Sequence, residues 1–278
     1  ALQEKNEQLN QAYEEIRTQQ ETLDRQHQDI LDSIKYASRI QRAIMPTGKL
    51  LTQHFEESFV LYKPRDVVSG DFYWYYREAD GRLIVTAVDC TGHGVPGAFM
   101  SVLGTSLLDQ IVHETEGQAP GAILDQLHGE IIRSLSQEGK GHVQHDGMDL
   151  SMVAISPDRR EVEFAGAKNP LYLLRKGSEE IERYKGDKAA IGGGYEGAHQ
   201  FNTTRITTGP GDALFLFSDG LADQFGGPRG RKYTYKRMRE QFMQAQQVSL
   251  QSLGGQLEQD LETWMSDEVQ LDDILVIG

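Results

Sequence analysis

Aspartates at the ends of apolar runs are the residues of this chain best placed to do chemistry. Asp89 ends one such run and is followed by Cys90, and Asp219 ends another and is followed by Gly220. A carboxylate at a strand end is held by a rigid scaffold, and glycine nearby lets backbone atoms approach an ion or a phosphate. For a single site of this kind the alternative is a solvated turn, because Asp and Gly are common turn residues.

Further acidic residues stand at the starts of strand-like runs. Asp71 follows Gly70, and the adjacent Asp272 and Asp273 precede the last apolar run. Neighbouring carboxylates repel one another unless a counter-charge is present, and a hard divalent cation is the natural one. Oxygen ligands favour Mg²⁺ or Mn²⁺ over Zn²⁺, and a pair of such ions would generate a hydroxide nucleophile near neutral pH. The pattern indicates hydrolysis of a phosphate ester.

The elements that must position these residues are mostly strands after residue 57. β-branched and aromatic runs, punctuated by glycine, predict strands at 58–62, 71–77, 83–89, 149–155, 161–165, 171–175, 181–184, 201–206, 213–218 and 274–277. Two pairs of helices interrupt them, at 96–113 with 121–137 and at 236–245 with 250–265. This order predicts an α+β fold, a four-layer α-β-β-α sandwich of two antiparallel sheets flanked by helices.

The first 45 residues contain neither glycine nor proline and predict one long helix that precedes the sandwich. Apolar residues recur at every seventh position, namely Leu2, Leu9, Ile16, Leu23 and Ile30, with Ala37 and Ile44 in the same register. The second seam position is mostly polar, so this pattern favours a weak parallel dimer; a helix packed on its own domain is the alternative. We therefore predict a coiled-coil linker at 1–46 and a catalytic domain at 47–278.

Composition limits the possible partners and compartment. The formal net charge is −14, from 42 acidic and 28 basic residues, which argues against binding to nucleic acid or to anionic membranes. No apolar run approaches the roughly 20 residues that a membrane span needs. The single cysteine, Cys90, excludes an internal disulfide and fits a reducing compartment. We expect a cytoplasmic protein, or the cytoplasmic part of a longer membrane-attached or multidomain one.

Taken together, the acidic motifs resemble a known enzyme family. The ordered set is Gly70-Asp71, Asp89-Cys90-Thr91-Gly92-His93-Gly94, Gly147-Met148-Asp149, Ser218-Asp219-Gly220 and Asp272-Asp273, with 63–72 as a further matching segment. In order and spacing it resembles the bacterial SpoIIE-like branch of the metal-dependent PPM (type 2C) serine/threonine phosphatases. The resemblance covers roughly residues 30–278.

This resemblance implies a two-ion centre of Mn²⁺ or Mg²⁺ and assigns its ligands. Asp89 would bridge both ions, and the backbone carbonyl of Cys90 would be a further ligand. Asp219 and Asp272 would hold one ion, with Asp273 as the alternative to Asp272 if the alignment shifts by one residue.

Three other residues could act at this centre, Asp71 and His93 by the same resemblance and Arg65 by its ability to bind phosphate. Asp71 would act on the ions directly or through water. His93 would transfer a proton or orient the phosphate, although a structural histidine in the turn is the alternative. Arg65 would hold the substrate phosphate by bidentate contact, with an ordinary surface arginine as the alternative.

The resemblance implies a signalling phosphatase that removes phosphate from a protein partner, as relatives do with phosphorylated STAS-type regulators. An upstream sensor domain or partner would act through residues 1–46 of a homodimer. The competing hypothesis is a catalytically silent binding module with the same fold, and the intact acids count against it.

Overall fold

The computed structural model describes residues 2–46, 49–92, 94–135, 146–193 and 199–278. The helices are α1 (Leu2–Ile44), α2 (Lys49–His54), α3 (Val95–Glu114), α4 (Pro120–Ser134), α5 (Gly220–Asp223), α6 (Thr234–Phe242) and α7 (Leu250–Met265), and a 3₁₀ turn (Met243–Gln246) follows α6. The strands are β1 (Val60–Lys63), β2 (Phe72–Arg77), β3 (Leu83–Cys90), β4 (Gly147–Ile155), β5 (Glu161–Ala167), β6 (Leu171–Leu174), β7 (Ile181–Tyr184), β8 (Ile191–Gly192), β9 (Thr204–Thr207), β10 (Ala213–Phe217), β11 (Phe225–Gly226), β12 (Arg231–Lys232) and β13 (Ile274–Ile277).

Two antiparallel sheets form the centre of the molecule. The first has the order β2-β3-β4-β5-β9, with β8 paired beside β4, and the second has the order β1-β13-β10-β6-β7. Strands β11 and β12 form a small separate hairpin. The predicted fold class is confirmed: a long helix precedes two antiparallel sheets that are flanked by helices.

Three apolar clusters fill the spaces between the layers, because alternate side chains of a strand point to opposite faces of its sheet. On β3, Ile84 and Val88 face helices α3 and α4, whereas Val85 and Ala87 face the other sheet. The second sheet alternates in the same way, with one face on α6 and α7 and the other on the first sheet. The position of a residue along its strand therefore determines whether its side chain faces the helices or the other sheet.

Helix α3 is long and apolar enough, by length and composition alone, to cross a membrane. Just over half of the relevant segment is buried inside the molecule, where it packs against β2, β3 and α4. Buried core helices pass the same test, so this property is weak support for a membrane span.

Helix α1 changes character along its length. The seam residues from Leu2 to Ile30 are exposed in the single chain: Leu2 is 80% exposed and Ile30 is 58% exposed. From Ile34 onward the same stripe packs onto the domain, and Ser38 and Gln41 are buried. Only the last quarter of the helix therefore rests on the sandwich, next to α3.

Candidate active site

Three aspartates lie side by side at one end of the first sheet. Asp89 on β3 is directly opposite Asp149 on β4. On the other flank, Asp71 lies one residue beyond the pair formed by Phe72 and Val88. Residues that face each other across antiparallel strands point to the same side. These carboxylates therefore share the face that looks toward the second sheet.

The second sheet supplies acids to the same place. Strand β10 runs toward this end and is followed by Asp219, and the antiparallel β13 begins just after Asp272 and Asp273. The backbone N–H of Asp219 donates a hydrogen bond to the carboxylate of Asp89. Acids more than 180 positions apart in sequence are thus brought together by the pairing of strands and the stacking of sheets.

Burial and mutual repulsion keep these carboxylates reluctant to ionise. Burial raises the pKa of Asp71 well above its ordinary value, and the charge of Asp89 raises it further. The pKa of Asp89 is raised first by burial and then by the charges of Asp219, Asp149 and Asp272. Burial also raises the pKa of Asp219, with Asp223 as the next cause. The site is a pocket of negative potential that favours a cation.

The two adjacent acids near the C-terminus have different environments. Asp273 is 3% exposed, and its two oxygens accept backbone N–H groups from Arg65 at 2.8 Å and from Gly70 at 2.7 Å. Asp272 is exposed, and its Oδ1 accepts the backbone N–H of Asp273 at 2.9 Å. Asp273 thus ties the segment before β2 to the start of β13, which leaves Asp272 as the one free to face a ligand.

Close backbone contacts hold the turn after Asp89. A Cβ placed on Gly97 would lie 2.4 Å from the carbonyl oxygen of Gly92, and one on Gly70 would lie 2.8 Å from the same atom. That Cβ on Gly70 would also be 3.3 Å from the carbonyl oxygen of Cys90. Glycine at these positions lets three backbone segments meet, and this contact fixes where the Cys90 carbonyl can lie.

The donor chemistry of the site fits a hard divalent ion. Asp71 Oδ2 is buried without a hydrogen-bond partner, which is costly unless a cation takes that place. Among the described residues, however, no three His, Cys, Asp or Glu side chains are already close enough together to hold one ion. Rotation of the aspartate side chains would have to bring their oxygens inward around the cation.

The remaining predicted residues have mixed outcomes. His93 lies outside the described residues. Arg65 is exposed, and its backbone N–H is fixed at the site by Asp273, so its side chain starts from the rim. The Cys90 side chain packs in the cluster on the helix side of the sheet, and burial raises its thiol pKa well above the ordinary value. Only its backbone can serve the site.

Two acids at the site were not predicted as site residues. Asp149 was noted in a motif but was given no role, and the charge of Asp223 acts on Asp219 from one helical turn away. The sequence contains one sign of Asp149: it is the only charged residue of β4 and lies on the face that alternation assigns to the sheet interface, although nothing local relates it to Asp89.

Comparisons with known proteins place this arrangement in a family. Residues 79–278 match the family model described as Stage II sporulation protein E (SpoIIE). The SiaA-PP2C domain of Pseudomonas aeruginosa is 34% identical and superposes with a TM-score of 0.79, covering 90% of this chain and 96% of that one.

Two more distant structures share the fold. The PP2C phosphatase domain of Bacillus subtilis SpoIIE, solved with a fragment of its regulatory domain, is 17% identical with a TM-score of 0.61, and the match covers 80% of this chain and 61% of that one. RsbX in complex with magnesium is 13% identical with a TM-score of 0.54, covering 79% and 92%.

A comparison with curated protein sequences gave no match. The family match spans well over half of the chain, and the solved relative at 34% identity covers nearly all of it. The chain therefore belongs to the SpoIIE family and is homologous to PP2C-type serine/threonine phosphatase domains.

Proposed function

We propose that the chain hydrolyses phosphoserine or phosphothreonine on a protein partner by metal-activated water. The observation that carries this proposal is the convergence of acids from both sheets on Asp71, whose Oδ2 is buried without a partner. Two Mg²⁺ or Mn²⁺ ions, when bound, would activate water and neutralise the phosphoryl oxygens. The magnesium complex of RsbX supports the choice of a hard cation.

The residues of the site would have different roles in holding the ions. Asp89 is central because strands on both sides of it and the backbone of Asp219 surround its carboxylate, so it would bridge the ions. Asp219 and Asp272 would hold one ion, and the carbonyl of Cys90 would contribute to the other. Asp273 would position rather than ligate, because both of its oxygens already accept backbone hydrogen bonds.

Two roles derive from the family resemblance: Asp71 would complete the centre directly or through water, and His93 would transfer a proton or orient the phosphate. Arg65 would reach a substrate phosphate from the rim by bidentate contact. No nucleophilic side chain is needed for direct attack of water on phosphorus, so no covalent phospho-enzyme would form.

Hydrolysis of p-nitrophenyl phosphate with and without Mn²⁺ tests the proposal. We expect metal-dependent turnover that falls by at least about 100-fold in Asp89→Asn and Asp219→Asn, because each change removes a charged ligand. Asp80→Asn is the matched control, since Asp80 lies in the turn at the far end of β3, where its carboxylate accepts the nearby Arg82 N–H. A parent protein with no metal-dependent turnover would favour the silent binding module.

We further propose that residues 1–46 form a dimerising linker that relays an upstream state to the catalytic domain at 47–278. The support is a buried contact at the end of α1. Gln41 Nε2 donates to Ser69 O at 2.6 Å and to Ser101 Oγ at 2.8 Å, and Gln41 Oε1 accepts Ser69 N–H at 3.2 Å. Ser69 precedes Gly70 and Asp71, so the helix end contacts the segment that carries a site acid.

The identity of the protein partner is inferred from the family resemblance. We propose a phosphorylated STAS-type regulator as substrate, in a signalling pathway whose sensor acts on the exposed part of α1. The Asp89→Asn variant would bind the phosphorylated partner without hydrolysing its phosphate. Co-purification of a phosphorylated protein with this variant would identify the partner.

A further inference from the structure

A lysine not used in the proposed mechanism lies at the edge of the carboxylate site. Strand β5 pairs Ala167 with Leu150 of β4, so the next residue, Lys168, is level with Asp149. Its Nζ lies 3.0 Å from Asp149 Oδ1, and its side chain is 49% exposed. The ammonium group is therefore both tethered to a site acid and open to a ligand.

The backbone of Lys168 is held in a conformation that lysine rarely adopts. Its φ is 58°, in the left-handed region. Two hydrogen bonds fix it there, from Lys168 N–H to Asp187 O and from Asn169 N–H to Ala167 O, both at 2.7 Å. Residues held in such conformations cluster at functional sites, where the surrounding structure stabilises them.

Close glycine contacts keep this loop from relaxing. A Cβ on Gly166 would lie 2.4 Å from Asn169 O, and one on Gly186 would lie 2.7 Å from the same atom. The carbonyl of Asn169 is thus packed against two glycines, and the left-handed turn is set by the fold rather than by the residue at its centre. An Asn or Gly would be the usual choice there.

The positive charge of Lys168 offsets part of the negative potential of the site acids. Asp149 lies opposite Asp89 and adds to the negative potential that acts on Asp89 and Asp219. A phosphate dianion that approaches these acids is repelled unless cations face it. A lysine at this edge places a partly exposed positive charge beside the site acids, and its three donors can serve Asp149 and a phosphoryl oxygen together.

We propose that Lys168 is a phosphate-contacting residue, whose ammonium donates to a phosphoryl oxygen of the substrate while Asp149 holds it in place. The inference rests on the proposed phosphatase function and deepens it by assigning a specificity residue outside the acidic motifs. The competing explanation is that Lys168 only neutralises Asp149 in the folded protein.

The test uses Lys168→Asn, because Asn tolerates the left-handed backbone and removes the charge without forcing the loop to move. Inorganic phosphate is titrated calorimetrically into the Mn²⁺-loaded protein, and KM and kcat are measured with p-nitrophenyl phosphate. We expect the Kd for phosphate and the KM to rise by about 10- to 100-fold, with kcat changed only a few-fold. Lys168→Arg should recover most of the loss.

Phosphate affinity separates the two explanations, because Lys168→Asn removes the ion pair with Asp149 under both of them. A fall in melting temperature reports the loss of that ion pair, whereas a rise in the Kd for phosphate reports a contact with the ligand. A lower melting temperature with unchanged phosphate binding would mean that the lysine only neutralises Asp149 and would overturn the proposal. Lys176→Asn is the control, since Lys176 is an exposed lysine at the far end of the second sheet.

The phosphate titration also distinguishes this proposal from the phosphatase function itself. Absence of Mn²⁺-dependent turnover in the parent would remove the proposed function. Turnover in the parent together with equal phosphate affinity in parent and Lys168→Asn would leave that function intact and remove the role of Lys168.

Discussion

At the scale of single residues, the aspartates of the site repel one another in the absence of a cation. Asp71 is buried and Asp89 partly buried, and burial is the first cause of their raised pKa values, followed by neighbouring charge. Ionising both of them in the absence of a cation therefore destabilises the folded protein. The site is built for binding at the expense of stability, a common trade at functional sites.

We expect Asp71→Asn to stabilise the metal-free protein at pH 7 by about 1 kcal/mol or more. The substitution removes the cost of ionising a buried carboxyl group, which is about 1.4 kcal/mol for each unit by which its pKa is raised. The folded state holds the Asp71 proton more tightly than the unfolded state. Stability of the parent should therefore fall as pH rises from about 4, where an unfolded aspartate ionises, through the raised pKa.

Urea unfolding in a chelator at pH 5 and pH 7 measures this effect. The variant should lose less stability than the parent between the two pH values, while its Mn²⁺-dependent turnover is lost. Equal pH dependence in both proteins would mean that Asp71 does not carry the buried charge.

The site residues could be predicted where a single motif was enough. Asp71, Asp89 and Asp219 are recognised from an aspartate at the start or end of a strand with glycine next to it or within three residues. The choice between Asp272 and Asp273 stayed open, since only the partners of each carboxylate distinguish them. Asp149 was missed because its relation to Asp89 depends on strand register, and residues 60 positions apart give no local signal of it.

At the scale of elements, periodicity predicted most of the fold. The ten predicted strands and the four helices of the domain all have counterparts, with differences of a few residues at their ends. The strand predicted at 201–206 begins only at Thr204, because Phe201 is buried and donates its N–H to Asp125 on α4. Helices α2 and α5 and strands β8, β11 and β12 were missed, since two to six residues are too few for a periodic pattern.

The end of α1 contacts the domain through the Gln41 side chain. Gln41→Leu keeps the size of the side chain but removes the partner of the buried backbone N–H and C=O of Ser69, which should cost about 1–3 kcal/mol at this contact. We expect faster hydrogen exchange at 34–44 and 69–71 together with lower turnover of p-nitrophenyl phosphate.

Gln28→Leu is the matched control on the same helix, because the Gln28 side chain is exposed and its amide donates to the likewise exposed Asp32. If Gln41→Leu left both exchange and turnover at parent values, the helix end would be a passive attachment. The relay through Ser69 would then have no support.

At the scale of the whole molecule, the exposed seam of α1 predicts a dimer. Leu23 and Ile16 are more than half exposed in the single chain, and seven-residue spacing places them on one stripe. We expect Ile16→Asp or Leu23→Asp to weaken the dimer at least about tenfold, because a charge in an apolar seam is costly.

Sedimentation over a range of concentrations measures the dimer fraction. Gln11→Asp, on the outer face of the same helix, adds the same charge off the seam and should leave the dimer unchanged. A parent protein that sediments as a monomer at every concentration would contradict the seam, and turnover measured alongside would show the effect of dimerisation on activity.

The length of α1 has a consequence for how a signal could arrive. The helix has 43 residues and is about 65 Å long, yet only its last turns contact the domain. Bringing the next residue of the helix to the position of Gln41 needs a shift of about 1.5 Å along the axis together with a turn of about 100°. A hydrogen bond tolerates a misalignment of only some tens of degrees, so Gln41 is either seated on Ser69 or entirely away from it. A gradual twist applied far upstream would thus be converted into a two-valued output at the catalytic end.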